Sequence, residues 1–195
     1  MNASNTRTRY GAVAMTLHWI IAALLLLNIY LGLSFGSYPK GDPALLQAVM
    51  FHKSIGLTIL MLSVLRVVWR LLNPVPPLPA GMHPVLRFAA RATHFLLYFL
   101  ILAIPLSGWA MTSIGSRPIP FFGLFEWPKL GFLATLPAAQ QHATHESLEG
   151  IHEFLAWSAI VLIVIHVAAA LYHHFLRGDE VMRRMLPGTN VADEA

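Results

Sequence analysis

The sequence predicts an all-α integral membrane protein, a four-helix bundle with both termini in the cytoplasm, and three observations support this. Of the 195 residues, 56% are hydrophobic and 11% are charged, whereas a soluble domain usually carries about 25% charged residues. Four apolar stretches are long enough to cross a hydrocarbon core about 30 Å thick. The basic residues lie at the ends of these stretches, which indicates a topological role and argues against a nucleic-acid-binding surface.

The predicted helices span residues 14–35, 50–72, 90–113 and 148–175. A loop with Gly, Pro and Asp joins the first two, and a proline-rich connector joins the second and third. Residues 114–145 form the longest loop, whose aromatic residues, interrupted by Pro and Gly, suit a segment lying at the outer membrane interface. The length allows one compact bundle, so residues 1–195 are expected to form a single transmembrane domain.

The first apolar stretch resembles a signal peptide in one respect, because Arg7 and Arg9 precede it. However, it is long, it carries His18 and Trp19, and it shows no small-residue cleavage site before Tyr30. We therefore interpret it as a retained transmembrane helix.

Four spans place both termini on one side of the membrane, and the basic residues predict which side. Nine lie on the side of the termini, namely Arg7, Arg9, Arg66, Arg70, Arg87, Arg91, Arg177, Arg183 and Arg184. The opposite side carries four, namely Lys40, Lys53, Arg117 and Lys129. Because short cytoplasmic segments are enriched in Lys and Arg, we expect a multi-pass protein with its N- and C-termini in the cytoplasm.

The fourth apolar stretch carries His152 and His166, which are fourteen residues apart. On an α-helix this spacing is about 1400° of rotation, about 40° short of four full turns, with a rise of about 21 Å. Both imidazoles therefore lie on nearly the same face, one near each side of the membrane. This spacing would allow one helix to supply a ligand to each of two stacked haem groups.

The predicted topology assigns a depth to each histidine within a span. His18 and His166 lie near the cytoplasmic face, whereas His52 and His152 lie near the outer face. Depth alone therefore pairs His18 with His166 and His52 with His152. Ionisable residues inside spans are costly and usually functional, and each pair could ligate a six-coordinate b-type haem through two imidazoles.

The absence of cysteine restricts the chemistry of any such cofactor. It excludes disulfides, iron–sulfur clusters, thiolate-ligated haem and the covalent attachment site of c-type haem. Any haem must therefore be bound non-covalently, with His or Met as axial ligands.

Other interpretations of the histidines exist. A single histidine in an apolar stretch is more often a hydrogen-bonded packing residue than a ligand. A zinc or copper site is less favoured, because no carboxylate or thiolate joins the imidazoles at the required spacing. A haem-free, proton-coupled transporter could also use intramembrane histidines as relays. Four histidines in two matched layers favour haem ligation.

Several neighbouring residues have candidate roles. Gly56, one turn after His52, is expected to leave room for a flat macrocycle. His173 follows His166 by seven residues, on roughly the same face, and could donate a proton to a quinone; otherwise it contacts lipid headgroups. Arginines near the cytoplasmic face either anchor the topology or pair with haem propionates. These arginines are Arg66, Arg70, Arg87 and Arg91. No role follows from the sequence for His94, His142 and His145.

Several segments together resemble one family. They are YGAVAMTLHW, FHKSIG, LRVVWRLLNPVPPLP, ARATHFLLY, PLSGW, HEFLA, HVAAALYHHF and RRMLP. From about Tyr10 to Pro187 the chain resembles the bacterial cytochrome b561 family of four-helix dihaem b-type cytochromes. The resemblance implies two non-covalent haem b groups with the axial iron ligands His18, His52, His152 and His166. The His173–His174 pair also matches paired histidines of the family.

The resemblance also implies a function and a location. Members of the family transfer electrons between the ubiquinone pool of the bacterial inner membrane and partners at the periplasmic side. One branch is similar to a superoxide oxidase, which takes an electron from superoxide and reduces ubiquinone. The alternative is a non-catalytic electron-relay subunit that docks a dehydrogenase or a hydrogenase.

A superoxide substrate would require attraction of an anion to the outer face. Lys53, next to His52, would provide this attraction, and further cations of the outer face would support it. The supporting cations are Lys40, Arg117 and Lys129. Four carboxylates on the same face weaken the positive field, namely Asp42, Glu126, Glu146 and Glu149.

Overall fold

The computed structural model of the protein describes residues 2–79 and 81–189. Its long helices are α1 (Ala12–Ser34), α2 (Pro43–Leu72), α3 (Pro84–Ser113) and α5 (Ala138–Leu171). A 3₁₀ turn (Phe35–Ser37) follows α1, and a π-helical turn (Tyr172–Arg177) continues α5. Each of these four helical segments is long and apolar enough to cross a membrane. The predicted all-α, four-helix membrane architecture is therefore confirmed.

Three of the helices begin earlier than hydropathy predicts, because their first turns are polar or capped. Asp42 Oδ1 accepts the backbone N–H of Ala44 at 2.8 Å, and Pro43 occupies the first turn of α2. His83 caps α3 in the same way, at 3.4 Å from the N–H of Val85. α5 begins directly after Pro137, and its first turns are polar and exposed. The apolar pattern therefore marks where a helix enters the membrane and not where it begins.

The loop between α3 and α5 is correspondingly shorter than predicted and contains regular structure. Strands β1 (Pro120–Phe121) and β2 (Phe125–Glu126) form a small antiparallel hairpin, and a short helix α4 (Gly131–Ala134) follows. Its turn uses left-handed backbone conformations at Phe122 (φ 51°) and Gly123 (φ 73°). We call this end of the bundle the hairpin end.

Buried hydroxyls and an indole attach the hairpin to the helices. The N–H of Phe122 donates to Ser54 Oγ in α2 at 2.9 Å, and Ser54 is fully buried. The N–H of Leu130 donates to Ser113 Oγ, and Trp109 Nε1 donates to the carbonyl of Pro128 at 2.9 Å. The hairpin and the segment after it are therefore fixed to α2 and α3 at this end of the bundle.

The opposite end brings together the N-terminal segment, the α2–α3 connector and the C-terminal segment. Asn5 donates to the carbonyl of Pro74 at 2.9 Å, and Arg9 donates to that of Leu186 at 3.2 Å. Arg184 bonds the carbonyl of Pro77 at 2.6 Å. The described segments nearest to the two termini thus lie at one end, which we call the terminal end.

The helices pack in the order α1, α2, α3 and α5. Ile21, Ile55 and Ile59 form the core between α1 and α2. Across residues 2–79 and 81–189, α5 packs extensively on α3 and makes no comparable backbone contact with α1 or α2. A seam therefore runs between α5 and the first two helices, and the histidines of the spans lie along it.

Candidate metal centres

The first candidate centre lies at the hairpin end of the seam. The imidazole of His52 on α2 faces that of His152 on α5, with ring centres 6.2 Å apart and ring planes at 74°. His52 Nδ1 lies 3.0 Å from the carbonyl oxygen of Asn28, and His152 Nδ1 lies 3.0 Å from that of Ile104. A carbonyl only accepts, so each Nδ1 carries the hydrogen. The Nε2 lone pair of each ring is therefore available to a metal.

The second candidate centre lies nearer to the terminal end. His18 on α1 and His166 on α5 have ring centres 6.3 Å apart, with ring planes at 79°. His94 on α3 also reaches this site, and its ring centre lies 5.4 Å from that of His166. No role for His94 follows from the sequence, because its proximity to His166 depends on the packing of α3 against α5.

Two glycines leave the space that the hairpin-end imidazoles occupy. A Cβ on Gly32 of α1 would lie 3.1 Å from His52 Cε1, and a Cβ on Gly108 of α3 would lie 3.2 Å from His152 Cε1. Both distances are tighter than ordinary contacts, so any side chain there would displace the ring. A Cβ on Gly56 would lie 3.5 Å from Asn28 Nδ2, an ordinary contact distance, and the expected role of Gly56 beside a macrocycle stays a prediction.

Sequence reasoning missed both glycines, although a signal for them exists. Gly32 follows His18 by fourteen residues, and Gly108 follows His94 by fourteen. The same spacing separates His152 from His166. Each glycine therefore lies at the depth of the hairpin-end pair, on nearly the same face of its helix as the terminal-end histidine.

Comparison with known proteins identifies the family. The prokaryotic cytochrome b561 family matches residues 9–188. The chain belongs to this family. It is 39% identical over 187 residues to Cytochrome b561 homolog 2 of Escherichia coli (strain K12), covering 95% of each chain. It is 29% identical over 183 residues to Cytochrome b561 homolog 1 of the same organism, covering 92% of this chain and 97% of the relative.

A third relative carries a name that states an activity. The chain is 26% identical over 181 residues to the "Probable superoxide oxidase CybB" of Yersinia pestis, covering 92% of this chain and 96% of the relative. The family resemblance seen in the sequence is thereby confirmed. The protein is a multi-pass bacterial membrane cytochrome that transfers electrons, and its family implies that it binds haem b.

The two histidine pairs of this cytochrome fit haem iron. A metal between two imidazole nitrogens, at about 2 Å from each, separates the ring centres by roughly 6 Å, since each nitrogen lies about 1 Å from its ring centre. The His52–His152 and His18–His166 separations of 6.2 and 6.3 Å match this value. The His94–His166 separation of 5.4 Å is too short for a shared iron, so His94 lies beside the terminal-end pair.

Two arginines of the cytochrome add positive charge beside the terminal-end pair. Arg66 Nη1 donates to the carbonyl of Ala14 at 2.8 Å, and its charge acts on His18 and His166. The guanidinium groups of Arg66 and Arg70 lie 5.6 and 4.9 Å from the centre of the Tyr98 ring. In the part of the chain that the structure describes, neither forms a salt bridge with a carboxylate. Both are therefore available to an anion such as a propionate.

The remaining predicted cations lie at the hairpin end. Lys53 follows His52 on α2, and the charge of Arg117 acts on it. Lys129 has a structural partner, because its Nζ donates to the carbonyl of Gly115 at 2.6 Å. Lys53 and Arg117 form no salt bridge within the described residues.

The histidines at the two ends of α5 have different surroundings. His142 and His145 face Glu146 and Glu149 one turn later, at 3.3 and 3.8 Å, and all four side chains are exposed. They lie on the polar extension of α5, away from both candidate centres. His173, at the other end, is largely buried and pairs with Asp179.

Proposed function

We propose that this cytochrome holds two haem b groups in the bacterial inner membrane and transfers electrons from superoxide to ubiquinone. It would thus be a superoxide:quinone oxidoreductase. The observation that carries the proposal is the pair of imidazole–imidazole separations, 6.2 and 6.3 Å, at two levels of one seam. His52 and His152 would hold one haem, and His18 and His166 the other. The haem groups supply reversible one-electron chemistry, and the protein orients and tunes them.

The side chains of the protein determine what each centre can do. Backbone carbonyls fix the orientation of His52 and His152 and favour their ligating tautomer. An iron held by two imidazoles would have no position left for a substrate, so each centre would exchange electrons without binding oxygen.

The orientation in the membrane follows from charge. Most of the arginines lie at or near the terminal end, and short cytoplasmic segments are enriched in Lys and Arg. We therefore assign the terminal end and both termini to the cytoplasm. The hairpin end, with Lys53 and Arg117, then faces the periplasm, and the His18–His166 centre lies nearer to the cytoplasmic side, to which we also assign quinone reduction.

The choice of superoxide rests on the outer cations and on the name of one relative. Two superoxide anions would each lose one electron and become dioxygen. One ubiquinone would gain both electrons and two protons and become ubiquinol. Lys53, next to His52 and without a carboxylate partner in the described chain, would attract the anion.

The decisive experiment is stopped-flow spectroscopy of the purified, haem-loaded protein. Superoxide from a potassium superoxide stock is expected to reduce the b-type haem at a rate approaching the diffusional limit, about 10⁸–10⁹ M⁻¹s⁻¹ for steered association. A soluble ubiquinone analogue should then reoxidise it. Reduction many orders of magnitude below that limit would favour the electron-relay subunit, and a protein without b-type Soret and α bands would refute the haem assignment.

The role of Lys53 can be tested separately. Lys53→Gln is expected to lower the second-order rate of haem reduction by superoxide about three- to tenfold at low ionic strength, because one steering charge is lost. Lys53→Arg, which keeps the charge, is the matched control. The difference should disappear near 1 M salt, where the Debye length is about 3 Å. Equal rates for Lys53→Gln and the unaltered protein at low salt would exclude this role.

A further inference from the structure

The imidazole of His173 and the carboxylate of Asp179 form a partly enclosed pair at the terminal end. His173 Nδ1 lies 2.5 Å from Asp179 Oδ2. The two side chains are 15% and 25% exposed, whereas the His142–Glu146 pair on the same helix is 85% and 63% exposed. The first pair is therefore held within the protein, while the second is an ordinary solvated contact of low energy.

The backbone is shaped to bring Asp179 back to His173. The π-helical turn ends at Gly178, whose φ of 64° lies in the left-handed region that favours glycine. The chain reverses there, and the N–H of Asp179 donates to the carbonyl of His173 at 3.2 Å. The second carboxylate oxygen, Oδ1, accepts the N–H of Val181 at 3.1 Å. Both oxygens of Asp179 thus have partners, and the carboxylate is fixed.

Asp179 pairs with an imidazole although its own segment of the chain also carries Arg177, Arg183 and Arg184. Arg9 and Arg184 instead donate to the carbonyls of Leu186 and Pro77. Within residues 2–79 and 81–189, no arginine forms a salt bridge with Asp179. A carboxylate that only neutralised charge would bind a guanidinium, which offers the better bidentate geometry. An imidazole, unlike a guanidinium, can give up a proton near neutral pH, so this pairing suits proton chemistry.

The pair lies between the terminal-end histidines and the surface of that end. His173 follows His166 by seven residues, about 10 Å along the helix. The segment after Asp179 continues toward α1, where Trp19 Nε1 donates to the carbonyl of Met185 at 2.8 Å. Trp19 adjoins His18, so this segment closes the terminal end next to the second candidate centre.

We propose that Asp179 is a positioning residue that holds His173 as the proton donor to the quinone at this end. The inference rests on the proposed function. Asp179 accepts the Nδ1–H of His173 and thereby fixes the orientation and the tautomer of the ring, as carboxylates do for ligating histidines. His173 passes the Nε2 proton to a quinone oxygen, so an O–H bond forms as the N–H bond breaks, and water returns the proton. Two such transfers accompany the two electrons that two superoxide anions supply.

The test separates electron input from quinone reduction. In Asp179→Asn, the haem content and the rate of haem reduction by superoxide should stay unchanged. The kcat for reduction of ubiquinone-1 should fall about 10- to 100-fold with little change in KM, because proton delivery and not binding is impaired. Asp179→Glu should retain most of the kcat. Arg184→Gln, which weakens the attachment of the C-terminal segment without touching the pair, is the matched control and should behave normally.

A second variant keeps the inference testable if Asp179→Asn folds poorly. His173→Ala should also lose most of the kcat for quinone reduction, and added imidazole should restore it. Free imidazole would not repair a structural defect. A normal kcat in Asp179→Asn, an equal loss in Arg184→Gln, or a failure of imidazole to restore His173→Ala would each overturn the inference. If the unaltered protein accepts electrons but reduces no quinone, the proposed function fails first and the role of Asp179 fails with it.

Discussion

His52→Ala and His152→Ala are each expected to remove the same haem, lowering the haem content from two to one per chain. The two ring centres lie 6.2 Å apart across one seam, so loss of either imidazole would remove one of the two ligands proposed for that haem. The chain has no cysteine to retain the group covalently. A pyridine haemochrome assay should give the stoichiometry, and redox titration should show which midpoint potential disappears.

His142→Ala is the matched control for this pair of variants. His142 lies on the same helix as His152, is exposed and contacts only Glu146 among the interactions described for it, so both haem groups should remain. The two ligand variants should also give superimposable spectra. If His52→Ala matched His166→Ala in its spectral loss, and not His152→Ala, the pairing of the histidines would be wrong.

The level of each histidine could be predicted from the sequence because it depends on simple geometry. Alternating spans determine which end of each helix faces which side, and the helical rise determines depth. These rules predicted that His18 would lie opposite His166, and His52 opposite His152. Their rings are adjacent in the structure. That they ligate iron stays a prediction.

The sequence could not predict contacts that depend on how one helix is rotated against another. His94 meets His166, and Gly32 and Gly108 face imidazoles of neighbouring helices, only because of the packing order of the bundle. The start of α5 at Ala138 was also missed, because polar turns outside the membrane carry no apolar periodicity.

Asp179 illustrates a different limit of sequence reasoning. It lies six residues after His173, a spacing that on a regular α-helix would place the two side chains on different faces. Their contact requires both the π-helical turn and the reversal at Gly178. Such a local departure from helical geometry has no periodic signature. It is therefore found only when the backbone is known.

His166→Ala is expected to stop quinone reduction while leaving the reduction of the hairpin-end haem by superoxide intact. The ring centres of His166 and His18 lie 6.3 Å apart. Loss of His166 should therefore remove the terminal-end haem and interrupt electron transfer to the cytoplasmic side. His18→Ala should give the same result. Stopped-flow traces should show fast reduction of the remaining haem by superoxide. Its reoxidation by the quinone analogue should be much slower than in the unaltered protein.

His94→Gln provides the control that makes this experiment specific. The ring centres of His94 and His166 lie 5.4 Å apart, so a variant at His94 disturbs the packing around His166. This separation is too short for both imidazoles to share one iron. Both haem groups and most of the quinone reductase rate should remain. If His94→Gln lost the terminal-end haem while His18→Ala retained it, His94 would be the ligand. The partner of His166 would then lie on α3 and not on α1.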